Sequence, residues 1–279
     1  MISKYLFDTT ILIDLYFGSK SRKKKIEDKI NKSQKYATYL ILGEFNRTIL
    51  ETLRKILNLF LKNENLLDDF ETIDDFVQDV IKDMYFFSSH EASRVIKLIP
   101  YLRGEIKSKI EKYQRFEISL RYPIKKIIDD LNMYKIHLLS DIIPLESSYE
   151  CRNNNRKLLL KYEDKKIDFE KSFCSICEKN VLEYFKEGYL TELNLFKDNY
   201  KLLTKQFRKA EEEKFQNALK ILLEISEKTK LDGRKHICWN LNDIFLVLEA
   251  PIDFIIFTTN LRHQESFAKI VSKQITGID

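Results

Sequence analysis

Glycine and proline are scarce in this chain, at six and four among 279 residues. So few turn-formers exclude a loop-rich all-β fold and favour long helices. Cysteine is scarce too. Four residues, Cys151, Cys174, Cys177 and Cys238, cannot staple a chain of this length into a disulfide framework, and a reducing cytoplasm is the expected compartment. No apolar run approaches the roughly 18 residues that a bilayer-crossing helix requires. The N-terminus also lacks the basic stretch, apolar run and small-residue cleavage site of a secretion signal. A cytoplasmic protein with no membrane partner is therefore expected. A strong excess of one charge is missing as well. With 48 basic and 43 acidic residues the net charge is +5, too small for a protein that coats nucleic acid but compatible with local phosphate-binding surfaces.

The apolar share, 44%, is enough for a globular core, and the length suits one large or two modest domains. Organisation starts at the N-terminus. The β-prone run Ser3-Lys4-Tyr5-Leu6-Phe7 ends in Asp8-Thr9-Thr10, and an apolar stretch of helical spacing carrying Asp14 follows at once. This is the opening of an α/β unit, in which ligand groups gather at the carboxyl ends of the strands. A strand-terminal Asp also serves as a plain helix cap, so Asp8 alone leaves both readings open. Gly18 to Lys25 is a basic turn containing Arg22, Lys23, Lys24 and Lys25. It reads either as a solvated loop or as a phosphate-contacting edge near Asp8. Lys35 to Thr38 forms a second short strand. Thr38 then caps a helix through Leu40, Ile41, Glu44, Phe45, Ile49 and Leu53, with Glu44 in its second turn.

From about residue 50 to about residue 230 one helical pattern follows another: Asp68–Phe87, Ala92–Leu102, a helix opened by Pro123, Phe169–Phe185 and Leu190–Lys228. Asp141–Asn155, with its Pro, Ser and Asn content, reads as a loop. Cys174-Ser-Ile-Cys177 has the spacing of half a zinc site. Cys151 stands alone upstream, and structural zinc is usually held by two close pairs, so zinc binding competes with ordinary helix cysteines. The last fifty residues return to α/β character. Asn240 caps an apolar helix over 241–249 with Asp243 in its first turn, and Phe254–Phe257 is a continuous apolar run suited to a strand buried on both faces. That strand ends in the polar cluster Thr258-Thr259-Asn260-Leu261-Arg262-His263. In a parallel sheet Asp8, Glu44, Asp243 and Asn260 can share one rim. Converging carboxylates repel, so they call for a cation, and hard oxygen ligands suit Mg²⁺ or Mn²⁺.

Three stretches in this order resemble the PIN-domain ribonucleases, including the toxins of toxin–antitoxin pairs. They are KYLFDTTILIDLYFG, YATYLILGEFNRTI and NDIFLVLEAPIDFIIFTTNLRHQESFAKI. The resemblance places the family's metal-binding positions on Asp8, Glu44, Asp243 and Asn260. It implies an Mg²⁺- or Mn²⁺-dependent endoribonuclease that cleaves RNA phosphodiester bonds. In that reading Thr9 and Thr259 hydrogen-bond the site or the substrate, and Arg262 with the Arg22–Lys25 run binds phosphate. A toxin or defence-system effector answering to an antitoxin or another protein partner is implied too. The expected architecture is a PIN-like three-layer α/β fold with a central parallel sheet, interrupted by a large all-α insertion. PIN-like parts at 1–60 and 230–279 would flank the insertion at 61–229, which covers the catalytic rim, sets substrate choice, builds a homodimer or is simple structural elaboration.

Two departures from the family pattern bear on activity. Asn260 stands where an acid is usual and removes a charge from the metal site, which Glu265 or Asp14 can compensate. The middle of the chain is much longer than in single-domain members. Both motivate an alternative: a catalytically reduced PIN-like protein that binds RNA or a partner protein without turnover.

Overall fold

Tyr5-Leu6-Phe7 does form the central strand of the molecule. The computed structural model describes residues 2–63, 73–82, 140–146, 160–163, 166–169, 177–206, 213–227 and 237–278. In chain order, β1 (Lys4–Phe7) leads into α1 (Thr9–Phe17) and α2 (Lys20–Lys29), then β2 (Gln34–Thr38), α3 (Tyr39–Lys62) and α4 (Ile73–Lys82). β3 (Ile143–Leu145) and a two-stranded antiparallel pair, β4 (Leu160–Glu163) with β5 (Lys166–Phe169), come from the middle of the chain. There follow α5 (Cys177–Glu183), a π-helical turn at Tyr184–Gly188, α6 (Leu190–Asp198), α7 (Tyr200–Gln206) and α8 (Glu213–Glu227). The chain closes with α9 (Ile237–Asn240), α10 (Asn242–Glu249), β6 (Ile255–Phe257), α11 (Leu261–Ile270) and β7 (Gln274–Thr276).

Five of these strands make one all-parallel sheet in the order β3-β2-β1-β6-β7. Parallel strands bury both faces, which is why Leu6, Phe7, Ile256 and Phe257 are fully enclosed. The chain steps outward from β1 to β2 to β3 on one side and from β6 to β7 on the other. The direction of winding thus reverses between β1 and β6, and such a point opens a crevice at the strands' carboxyl ends. Register fixes what lies there. Phe7 pairs with Phe257, and the Asp8 N–H donates to the Phe257 carbonyl at 3.0 Å, so Asp8 and Thr258 emerge side by side.

Three local differences from the sequence reading have physical reasons. The basic turn is the start of α2: the Ser19 hydroxyl accepts the Arg22 N–H, Lys and Arg are good helix formers, and Ile26 and Ile30 anchor one face in the core. Within the stretch read as a loop, Ile143-Pro144-Leu145 pairs with β2 as an edge strand, where a proline without an N–H is tolerated. The middle of the chain is therefore not all-α, since it supplies β3 and the β4–β5 pair. Thr38 caps α3 as expected, its hydroxyl accepting the Ile41 N–H, whereas Leu241 rather than Asn240 stands at the N-cap of α10.

Helices from the middle of the chain pack directly on the closing ones. Phe196 of α6 meets Phe267 of α11 edge-on at 5.7 Å between ring centres, and Tyr184 meets Phe245 of α10 at 4.9 Å. All belong to one apolar cluster that also includes Leu6, Phe45 and Ile225. The expected helices at Ala92–Leu102 and after Pro123, and residues Cys151 and Cys174, lie outside the described residues. Among the described residues no helix is long and apolar enough to cross a membrane.

Candidate functional site

Asp8 occupies the N-cap position of α1, with the extended backbone (φ −79°, ψ 158°) that position requires, yet its side chain makes no capping hydrogen bond. The carboxylate is turned into the crevice instead. Its Oδ2 accepts from Thr10 Oγ1 at 2.8 Å, from Thr258 Oγ1 at 2.8 Å and from Gln264 Nε2 at 3.3 Å. The same Gln264 Nε2 donates to Asp243 Oδ1 at 3.1 Å, so a single neutral amide bridges two acids. Asp8 and Asp243 are both buried, and Gln264 is completely so. Burial first, and the Asp243 charge second, push the Asp8 carboxyl above the ordinary aspartate range. The Thr10 and Thr258 hydroxyls and the Thr9 N–H pull it back only in part.

Glu44 is tied to the same place through chain neighbours of the other two acids. Its Oε2 accepts from Thr9 Oγ1 at 2.5 Å and from the Asn242 side-chain amide. Thr9 follows Asp8 and Asn242 precedes Asp243, so the second turn of α3 is pinned between the two strand-end and helix-start acids. Asn260 is brought in only by its backbone. Its N–H donates to Thr258 Oγ1 at 2.9 Å and its carbonyl accepts the Gln264 N–H, while its side chain makes no capping bond. Thr259 likewise acts through its N–H, which donates to Thr10 Oγ1 at 3.3 Å. The two acids considered as compensators are engaged elsewhere: Asp14 pairs with Arg22 at 2.7 Å and Glu265 with Lys269 at 2.8 Å.

The donor chemistry suits a hard cation. Two buried carboxylates lie with a third close by, and the side-chain amides that donate to them, Gln264 and Asn242, each carry a carbonyl oxygen as well. Gln264 Oε1 and Asn242 Oδ1 are buried without a hydrogen-bond partner. Buried oxygens of this kind are ordinarily satisfied by water or an ion. Among the described residues no three carboxylate, imidazole or thiol side chains already converge on one point. Asp8, Asp243 and Glu44 are the residues that could hold a cation here.

Beside the acids lies a basic cleft of about 360 Å³, bordered by Ser19, Ser21, Arg22 and Lys25 and, across from them, Thr259 and Gly277. Of the basic residues singled out in the sequence, Arg22 and Lys25 line this cleft. Lys23 is paired with Glu27 at 3.7 Å, and exposed Lys24 and Arg262 are not among its lining residues. Two residues of the acidic site, Asn242 and Gln264, have no role in the sequence reading, and Thr10 and Thr258 enter it only as strand-end neighbours of the site residues. Their only signal is position, next to an acid or in the first turn after a strand end. No protein-family model, curated protein or solved structure matches the chain.

Proposed function

We propose that this protein is an Mg²⁺- or Mn²⁺-dependent endoribonuclease on a PIN-like three-layer plan, with Asp8, Asp243 and Glu44 as the metal-holding acids. One observation carries the reading. A strand-end aspartate at the switch point of a parallel sheet gives up its capping role and is buried within one amide of a second buried acid, at an energetic cost that a structural residue has no reason to bear. When bound, the ion supplies an activated water and charge stabilisation for a phosphodiester. The chain's own residues do the positioning. Thr10 and Thr258 fix the Asp8 carboxylate, while Thr9 and Asn242 hold Glu44 within reach. Gln264 ties Asp8 and Asp243 together through its amide. In this reading Asn260, at the rim, contributes a neutral oxygen or orders a water.

Cleavage of a mixed RNA pool in Mn²⁺ or Mg²⁺, wild type against Asp8→Asn, tests this. Metal-dependent cleavage by wild type is expected, reduced at least about a hundredfold in the variant, an effect of the size produced by losing one preorganised charge-stabilising group. Equal behaviour of the two proteins would sink it.

A second reading is a protein that binds RNA or a partner without turnover. It is favoured by the Asn260 side chain making no capping hydrogen bond and by a neutral amide standing between the acids. RNA retention with no cleavage under any divalent ion would establish that reading in place of the first.

A further inference from the structure

We propose that the cleft between the start of α2 and the ends of β6 and β7 is a binding site for the phosphate of one nucleotide unit. In the nuclease reading, on which this assignment rests for the identity of its strand, it holds the unit next to the one being cut. The cleft's lining is selective. None of the described residues that border it is acidic. It offers instead the Arg22 guanidinium, the Lys25 ammonium and the hydroxyls of Ser19, Ser21 and Thr259, all groups that bind phosphate oxygens. Leu261 and Ile278 add an apolar wall against which a sugar or base edge can lie. At about 360 Å³ the space is at the small end of ligand cavities, roughly 300–1,000 Å³, and suits a single nucleotide.

Two further observations point to an anion. Arg22 is held at the cleft by its neighbour: its Nε pairs with Asp14 Oδ2 at 2.7 Å, which restrains the guanidinium of a residue that lines the space. The start of α2 also runs against the helix dipole. Lys20, Arg22 and Lys23 fall in its first turn, where positive charge is disfavoured, and that turn contains no acidic residue of its own. Local rules are broken in this way where function requires it, and a bound phosphate reverses the penalty. The cleft is also joined to the acidic site. Thr259 borders it and donates to Thr10, and Thr10 donates to Asp8, so a strand seated by its phosphate in the cleft passes beside the acids.

The experiment is calorimetric titration of the whole protein, in chelator, with uridine 5′-monophosphate, uridine and inorganic phosphate. The monophosphate should bind, uridine about tenfold or more weaker. Lys25→Gln and Arg22→Gln should each weaken the monophosphate about tenfold, the scale of one lost charged hydrogen bond. Lys82→Gln, which removes the same charge from an exposed side chain at the end of α4, should change nothing. Lys25→Gln guards against a folding effect of freeing Asp14 in the Arg22 variant. Equal binding of uridine and its monophosphate, no binding at millimolar concentration, or undiminished binding by the double variant overturns the site. Inorganic phosphate binding as tightly as the monophosphate overturns the nucleotide part and leaves a site for free phosphate. Cleavage is assayed in parallel. RNA cut without phosphate-dependent binding removes the cleft alone, and binding without cleavage removes the nuclease reading alone.

Discussion

At Asp8, burial and the nearby Asp243 charge raise the carboxyl pKa, and the sign of the consequence for stability follows. A carboxyl whose folded pKa is raised contributes stability that is fully present below its unfolded value, 3.8, and is lost as pH rises through the folded value. At neutral pH the metal-free protein therefore bears the cost of burying Asp8 beside Asp243. Asp8→Asn should raise its neutral-pH stability by about 0.5–2 kcal/mol, the usual gain from relieving a functional site. In acid the advantage should disappear. Thermal melts across this pH range, with and without Mn²⁺, measure both effects, and Mn²⁺ should raise the midpoint of wild type much more than that of the variant. A variant less stable than wild type at every pH would make Asp8 a structural acceptor for Thr10, Thr258 and Gln264. The acids themselves were legible in the sequence because strand-end and helix-start positions single them out. Gln264 and Asn242 were not, since a neutral amide looks like any surface polar residue until its partners across the fold are known.

Among the elements, α2 and β3 were the least legible, for opposite reasons. Charge density hid α2. Its apolar grip on the core is only Ile26 and Ile30, one turn apart, amid lysines that read equally well as a solvated loop. Brevity hid β3, three residues including a proline. Its strand identity comes from pairing with β2 and not from any propensity of its own. The corner before α2 is tightly specified. Gly18 donates its N–H to the Asp14 carbonyl at 2.9 Å, and a Cβ at Gly18 would lie 2.3 Å from that oxygen. Gly18→Ala must therefore move backbone, separating Asp14 from Arg22. It should cost about 1–3 kcal/mol, the scale of overpacking. Ser19→Ala, which removes only the cap hydroxyl, should cost about 1 kcal/mol. Denaturant melts of the two variants check the order. A Gly18→Ala protein as stable as wild type would show that the corner relaxes freely.

Over the whole molecule, the two ends of the chain supply β1, β2, β6 and β7, while β3 arrives from the middle, so the closure of the sheet depends on one short edge strand. Periodicity reveals the apolar strands of the ends but cannot show which distant segment completes the edge. Asp141 does the attaching. It accepts from Lys35 of β2 at 2.7 Å and from the Tyr16 hydroxyl of α1 at 2.9 Å, just before β3 begins. Partial burial tends to raise its carboxyl, but the hydrogen bonds from Lys35 and Tyr16 outweigh this and hold it below the usual range. Its contribution to stability is thus present above 3.8 and lost as pH falls through the lowered folded value, opposite in sign to that of Asp8. The Lys35–Asp141 pair is a quarter to half exposed, which limits its worth to about 1 kcal/mol or less. Asp141→Ala should therefore leave the global melting temperature within a few degrees of wild type. Hydrogen exchange in β3 should nevertheless accelerate about fivefold, while the amides of β1 and β6 keep their protection. Acceleration spreading through β2 to β1 would mean instead that the edge strand is an integral part of the cooperative core, and that the acidic crevice at β1 and β6 depends on a residue at the far side of the sheet.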